Sequence, residues 1–135
     1  MHQTTLCFDF GNTRLKCAVF AGRDLRDVLV LENDYPETIR QLVEKFNPSK
    51  SLVSSVIDHN PEVEAILSQS TKFHKLNHLS KLPITTPVGR PESIGADRLG
   101  LVVAAVDLFP EKNNLVIGLG SAITYNFINK YHEFL

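Results

Sequence analysis

The feature that most constrains this chain is a pair of apolar runs set back to back around a glycine turn. Thr4–Phe10 is a short apolar run, Gly11-Asn12 supplies turn chemistry, and Arg14–Phe20 resumes in alternating style. That pattern predicts a β-hairpin, because glycine and asparagine tolerate the backbone angles of a tight reversal. A second turn at Ala21–Asp24 leads to a third strand near Leu25–Leu31.

The periodicity then changes. Asp34 before Pro36-Glu37 has the chemistry of a helix start, and Ile39, Leu42, Val43 and Phe46 mark one face of a helix that stops before Pro48. Ser51–Ile57 reads as a buried strand, Pro61–Leu67 as a second helix and Lys72–Leu76 as a weaker strand. Leu79–Arg90, rich in proline, threonine and glycine, reads as a loop. Pro91-Glu92 is expected to open a third helix, whose apolar residues Ile94, Leu101, Val102, Ala105 and Leu108 run toward Pro110. Leu115–Ile117 is another strand, which breaks at Gly118-Leu119-Gly120-Ser121 and resumes through Ile123–Ile128. Three strands in meander followed by alternating helices and strands predict an α/β fold on a mixed sheet. The expected division is 1–112 as one domain and 113–135 as the first strands of a second. Strands begun at Leu115 cannot bury their own apolar face by Leu135, so the chain reads as cut short.

Composition narrows the function. Fourteen basic and fifteen acidic residues leave a net charge of -1, which offers no electrostatic footprint for nucleic acid or an anionic membrane surface. The longest apolar stretch, Leu99–Phe109, carries Asp107 and is too short to span a bilayer. Met1-His2-Gln3-Thr4 is not the basic start of a signal peptide, so the expected compartment is the cytoplasm. Cys7 and Cys17 lie on strands flanking a turn, where they can face one another, and read as buried reduced thiols. His2, His59, His74, His78 and His132 share no ligand-like spacing.

Three segments could carry chemistry. In Asp9-Phe10-Gly11-Asn12-Thr13, with Lys16 beyond, an aspartate ending a strand can hold Mg²⁺ through water. Gly11 lets a phosphate approach the backbone, and Thr13 and Lys16 add a hydroxyl donor and a positive charge. A plain hairpin, with Asn12 and Thr13 bonding locally, reads the same residues equally. In Pro91-Glu92-Ser93-Ile94-Gly95-Ala96-Asp97-Arg98, Asp97 is either a positioned base or a carboxylate complementing the helix dipole. Gly118-Leu119-Gly120-Ser121-Ala122-Ile123-Thr124 is a second phosphate cradle or a simple hairpin. It is no dinucleotide fingerprint, because the third glycine and the following helix are missing. Together the segments offer the parts of phosphoryl transfer: phosphate donors, a metal ligand and a base.

The ordered set resembles the type III pantothenate kinases, members of the acetate and sugar kinase/Hsp70/actin superfamily. Asp9-Phe10-Gly11-Asn12-Thr13-Arg14-Leu15-Lys16 resembles the family's D-x-G-N-T-x-x-K, and Ser54-Ser55-Val56 its S-S-V. Gly95-Ala96-Asp97-Arg98 is similar to G-x-D-R, and Gly120-Ser121-Ala122-Ile123-Thr124 to G-T-A-x-T. The resemblance implies a ribonuclease H-like, actin-like ATPase domain and ATP-dependent phosphorylation of pantothenate, the first step toward coenzyme A. It also implies a homodimer with Mg²⁺ and a monovalent cation, K⁺ or NH4⁺. By that resemblance Asp97 is the general base, and Gly95, Ala96, Asp97 and Arg98 line the pantothenate site. Asp9, Phe10, Gly11, Asn12, Thr13, Arg14, Leu15 and Lys16 hold the ATP phosphates, Asp9 holds Mg²⁺ through water, and Ser121 contacts ATP.

Two positions depart from the family pattern. Gly118 stands where the family has an aspartate that binds the monovalent cation, which puts K⁺ dependence in doubt. Val88 stands where the family often has a substrate-contacting tyrosine, and one lost neutral hydrogen bond costs about 1 kcal/mol. The competing readings are a non-catalytic regulatory or binding relative with the same fold, and a superfamily kinase for another small alcohol or acid.

Overall fold

The computed structural model describes residues 3–87 and 89–135. The chain divides into two compact units, Met1–Lys75 and Leu76–Leu135. The first contains β1 (Thr4–Phe10), β2 (Leu15–Ala21), β3 (Asp24–Leu31), α1 (Pro36–Phe46), β4 (Lys50–Ser55), α2 (Glu62–Ser70) and β5 (Lys72–Lys75). Its sheet order is β3-β2-β1-β4-β5. The ladders β1–β2 and β2–β3 are antiparallel, whereas β1–β4 and β4–β5 are parallel, so β2 alone runs against the others. This is the mixed sheet of an actin-like ATPase domain, as the sequence pattern and the family resemblance led us to expect.

Alternation along the central strand builds the core. Leu6, Phe8 and Phe10 of β1 are buried with Cys17 and Val19 of β2 and Val53 of β4. Ile39 and Leu42 of α1, and Val63 and Leu67 of α2, close on that same face. Removing a Leu or Phe side chain of this kind from water contributes about 1.5–3 kcal/mol. Helix α1 begins at Pro36, whose missing N–H is no loss at a helix start. It ends at Asn47, which takes the left-handed conformation (φ 44°) and returns its N–H to Val43 O at 2.8 Å.

Several local expectations shift. Asp34 does not cap α1; its Oδ2 accepts the Asn60 N–H at 2.7 Å. Asn33 Oδ1 takes over near the helix start, accepting the Tyr35 N–H at 3.0 Å and the Thr38 hydroxyl at 2.6 Å. Strand β4 stops at Ser55, short of Ile57, because the Ser55 hydroxyl bonds both the N–H and the carbonyl of Ile57 and turns the chain. The two cysteines do not face each other. Cys7 pairs with Ala18 and Phe8 with Cys17, an offset that puts the thiols on opposite faces of the sheet. Burial pushes the Cys17 thiol up to about 12, with Cys7 adding to the shift, and raises Cys7 as well. Both thiols therefore stay protonated at neutral pH.

The second unit contains α3 (Ala96–Leu108) and the hairpin β6 (Asn114–Leu119) and β7 (Ile123–Ile128). Val102, Ala105 and Val106 of α3 pack with Ile128 and Phe134. Helix α3, which the sequence division placed within 1–112, lies here in the unit that carries β6 and β7. The helix does not open at Pro91. Pro91–Ser93 forms a single 3-10 turn, closed by the Ser93 N–H and hydroxyl on Arg90 O at 3.0 and 2.7 Å. Ile94 and Gly95 are extended, and α3 starts only at Ala96. Strand β6 runs through Gly118 to Leu119, because Gly118 pairs with Thr124 in the ladder and leaves only residues 120–122 for the turn. No helix among the described residues is long and apolar enough to cross a membrane.

The core assignment sets an expectation for stability. Leu67 is fully buried, and Leu67→Ala should cost about 2–5 kcal/mol. Val30 is 62% exposed, and Val30→Ser should change stability by less than about 0.5 kcal/mol. Denaturant unfolding of the two variants beside the parent checks both values.

Candidate active site

In the first unit the phosphate segment is the β1–β2 turn and the strand ends that carry it. The turn closes through the Gly11 N–H on Arg14 O at 3.0 Å. Among the described residues, no backbone–backbone bond engages the amides of Asn12 or Thr13, and both residues are exposed. A Cβ at Gly11 would come only to 3.4 Å of Arg14 O, so the fold tolerates a side chain there. What glycine supplies is an open approach for a ligand to the backbone. Phe10 is buried and anchors the strand end, while Leu15 begins β2 half-buried and Arg14 is exposed.

The register brings three polar side chains side by side. Asp9 is directly opposite Lys16 on β2 and Ser54 on β4, and Asp9 is exposed. Directly opposed residues share a sheet face, so a carboxylate, an ammonium and a hydroxyl line up across three strands beside the turn. Among the described residues Ser54 Oγ is buried and has no hydrogen-bond partner. Mg²⁺ is commonly held by one or two carboxylates together with substrate phosphates and water, and Asp9 fits that pattern. No group of three or more His, Cys, Asp or Glu among the described residues could hold a metal unaided. Any such ion at Asp9 would draw its other ligands from substrate phosphates and water.

In the second unit Gly95 is the extended N-cap of α3, Ala96 is its buried first residue, and Asp97 lies in the first turn. Asp97 is exposed, and its Oδ1 accepts the Arg98 N–H at 2.9 Å. Arg98 is tied down: its Nε donates to Asn126 Oδ1 at 2.6 Å, and its guanidinium lies 5.6 Å from the Phe134 ring centroid. Among the described residues no hydrogen bond engages its Nη atoms.

Asn126 was not singled out from the sequence. It is fully buried, and its Nδ2 donates to Val116 O and Thr124 Oγ1, each at 3.1 Å. One side chain thus joins the Arg98 of one motif to the Thr124 of the next. The signal was its phase: Thr124, Asn126 and Ile128 alternate on the inward side of β7, where asparagine is unusual. A second feature absent from the sequence reading is a cavity of about 50 Å³, lined by His78, Ser80, Ile84, Thr86, Pro91 and Leu99 among others. Sites for whole ligands run to about 300 Å³ or more, so it has room only for a small part of one.

Gly118 is packed shut. A Cβ there would lie 2.5 Å from Thr124 Oγ1 and 3.1 Å from Leu101 Cδ1. A monovalent cation held by a side chain at 118 does not fit these residues, because Thr124 occupies the space and glycine brings no donor. Ser121 lies exposed in the turn 120–122, which the Gly120 N–H narrows by bonding Ala122 O at 3.2 Å. Val88, the other departure, lies outside the described residues.

An actin-like ATPase domain with a glycine turn after β1, and a carboxylate in the first turn of a later helix, places the chain in a class of α/β proteins. A family model described as type III pantothenate kinase matches residues 5–135, and the chain belongs to that family. A type III pantothenate kinase of Flavobacterium johnsoniae is 35% identical over 132 residues, covering 96% of this chain and 54% of the relative. One from Christiangramia forsetii is 38% identical over 123 residues, with 90% and 51% covered. One from Bacteroides fragilis strain YCH46 is 34% identical over 133 residues, with 96% and 54% covered. The chain spans about half the length of these curated relatives.

The packing at Gly118 gives a direct test. Gly118→Ala should lower stability by about 1–3 kcal/mol through overpacking against Thr124. Adding Thr124→Ala should recover part of the loss, which a double-mutant cycle of unfolding free energies would register as coupling. Additive losses would show that the side chains do not compete for that space.

Proposed function

We propose that this chain carries the phosphate-binding and base-bearing half of an enzyme that phosphorylates pantothenate with ATP. The product is 4'-phosphopantothenate, and the reaction opens coenzyme A biosynthesis. The observation that carries this reading is Asp97: an exposed carboxylate in the first turn of α3, oriented by the Arg98 N–H, in a chain of this family.

The roles are assigned from the family resemblance and the chemistry of each side chain. The open amides of Asn12 and Thr13, the Thr13 hydroxyl and the Lys16 ammonium bind phosphate oxygens, and Asp9 holds Mg²⁺ through water. Bound Mg²⁺ supplies neutralisation of the charge spread over the β- and γ-phosphates. Asp97 accepts the proton of the pantothenate hydroxyl as that oxygen bonds to the γ-phosphorus. The bond from the γ-phosphorus to the bridging oxygen breaks, and ADP leaves with the electron pair. Arg98, held by Asn126, presents its Nη donors to the pantothenate carboxylate, a pairing suited to a planar anion. Gly95 and Ala96 line the pantothenate site, and Ser121 contacts ATP from the second turn. No step is assigned to a monovalent cation. The enzyme works as a homodimer in the cytoplasm.

The packed Gly118 favours one competing reading, a relative that binds the ligands without transfer. Asp97→Asn in the full-length protein separates the two. Transfer to pantothenate should fall by about 10²–10⁴, the usual contribution of a positioned base, while ATP binding by calorimetry is retained. Unchanged turnover would remove Asp97 from the base role. A parent that binds ATP and pantothenate without transfer would make the protein a binding relative, and transfer to a different alcohol would change the substrate.

A further inference from the structure

The strand end that carries the first phosphate turn is braced by a buried polar chain that the mechanism above does not use. His59 lies in the loop between β4 and α2, and its side chain is only 5% exposed. Nδ1 is 2.9 Å from Ser55 Oγ at the end of β4, and Nε2 is 2.8 Å from Glu64 Oε2 in the first turn of α2. Lys75, at the end of β5, donates to the same Glu64 oxygen at 3.3 Å. The imidazole also tilts against Phe10, with ring centroids 5.4 Å apart and planes at 57°. Phe10 is the last residue of β1, fully buried, and its carbonyl accepts the Val56 N–H at 3.0 Å. The next residue is Gly11.

The donor inventory shows why this ring cannot turn freely. Nε2 faces a carboxylate and must carry a hydrogen, whereas Nδ1 faces a hydroxyl that can donate or accept. Burial pushes the Glu64 carboxyl up, but hydrogen bonds from His59 and Lys75, with their charges, outweigh it and hold it below its ordinary value. Glu64 is therefore ionised at neutral pH and a strong acceptor. Rotating the imidazole would strip that carboxylate of one partner and a buried nitrogen of its acceptor. The fixed ring in turn fixes Phe10.

Serine, histidine and carboxylate in sequence also suggest a nucleophile. The Ser55 hydroxyl argues otherwise, because it accepts the Ile57 N–H at 3.3 Å and its one hydrogen is shared between Ile57 O, 3.0 Å away, and His59 Nδ1. It closes a main-chain turn.

We propose that His59 is a positioning residue of the phosphate turn: through Phe10 it holds the amides of Asn12 and Thr13 in the orientation that receives a nucleoside triphosphate. This rests on the phosphate-binding reading of that turn given above.

The test uses the full-length protein with His59→Phe, which keeps the ring and the contact with Phe10 but deletes both hydrogen bonds, and His59→Gln, which keeps a donor for Glu64. ATP·Mg²⁺ binding by calorimetry, KM for ATP, KM for pantothenate and thermal unfolding are measured together. His59→Phe should raise the ATP Kd and KM about tenfold, the worth of one charge-assisted hydrogen bond, and leave the pantothenate KM within about twofold. His59→Gln should recover part of the ATP affinity. An unchanged ATP Kd in folded His59→Phe, or equal rises in both KM values, would overturn the proposal. So would p-nitrophenyl acetate hydrolysis that disappears in Ser55→Ala. If His59→Phe does not fold, Glu64→Gln serves, with the same split expected at about threefold. A parent that binds ATP but transfers nothing to pantothenate overturns the kinase reading alone, since the ATP Kd series still judges His59. A parent that does not bind ATP overturns both.

Discussion

Everything in the first unit depends on β1 being buried along one face and paired along both edges. Its ladder to β2 is antiparallel and its ladder to β4 is parallel, so it has no free edge. Leu6, Phe8 and Phe10 anchor the core against α1 and α2. A strand held so completely ends at a defined place, and the residue after Phe10 is Gly11. The turn proposed to bind phosphate therefore projects from a strand paired along both edges, and a turn on a rigid strand end presents its amides in one arrangement. Preorganised donors of this kind need no reordering when charge arrives.

The same strand shows how burial and chemistry divide by phase. Leu6, Phe8 and Phe10 face the helices, whereas Cys7 and Asp9 face the other way. Asp9 thus meets Lys16 and Ser54 across the ladders without exposing any core residue. A slip of one residue in the β1–β2 register would exchange these faces and bury the carboxylate in an apolar core, at a cost of several kcal/mol. The hydrophobic pattern that folds the sheet is the pattern that places Asp9 beside the turn.

Much of this was legible because it is local. The apolar alternation of Thr4–Phe10 and the turn chemistry of Gly11-Asn12 specify the hairpin, and Pro36 and Pro48 bracket α1. What escaped the sequence was decided by partners distant along the chain. The reversal of β4 after Ser55 depends on a side chain bonding the backbone of Ile57, and α1 starts without a side-chain cap because Asp34 accepts the distant Asn60 N–H instead. The facing of Cys7 and Cys17 needs the exact register, which spacing alone does not supply. Asn126, 28 residues beyond Arg98, reveals its role only when the hairpin lies against α3.

In the second unit a single polar side chain performs the joining that β1 performs in the first. Asn126 is buried without cost only because its oxygen and its amide hydrogens are all engaged, by Arg98, Val116 and Thr124. That demand also explains why Gly118 is tolerated opposite Thr124. Thr124 must keep Oγ1 turned toward Asn126 Nδ2, and the same atom fills the space where a Cβ at 118 would sit. A larger residue at 118 would rotate Thr124 away, leave an Asn126 hydrogen without its acceptor and loosen the anchor of Arg98. Position 118 and the arginine of the preceding motif are therefore linked through Thr124 and Asn126. A side chain introduced at 118 cannot be judged as a local change.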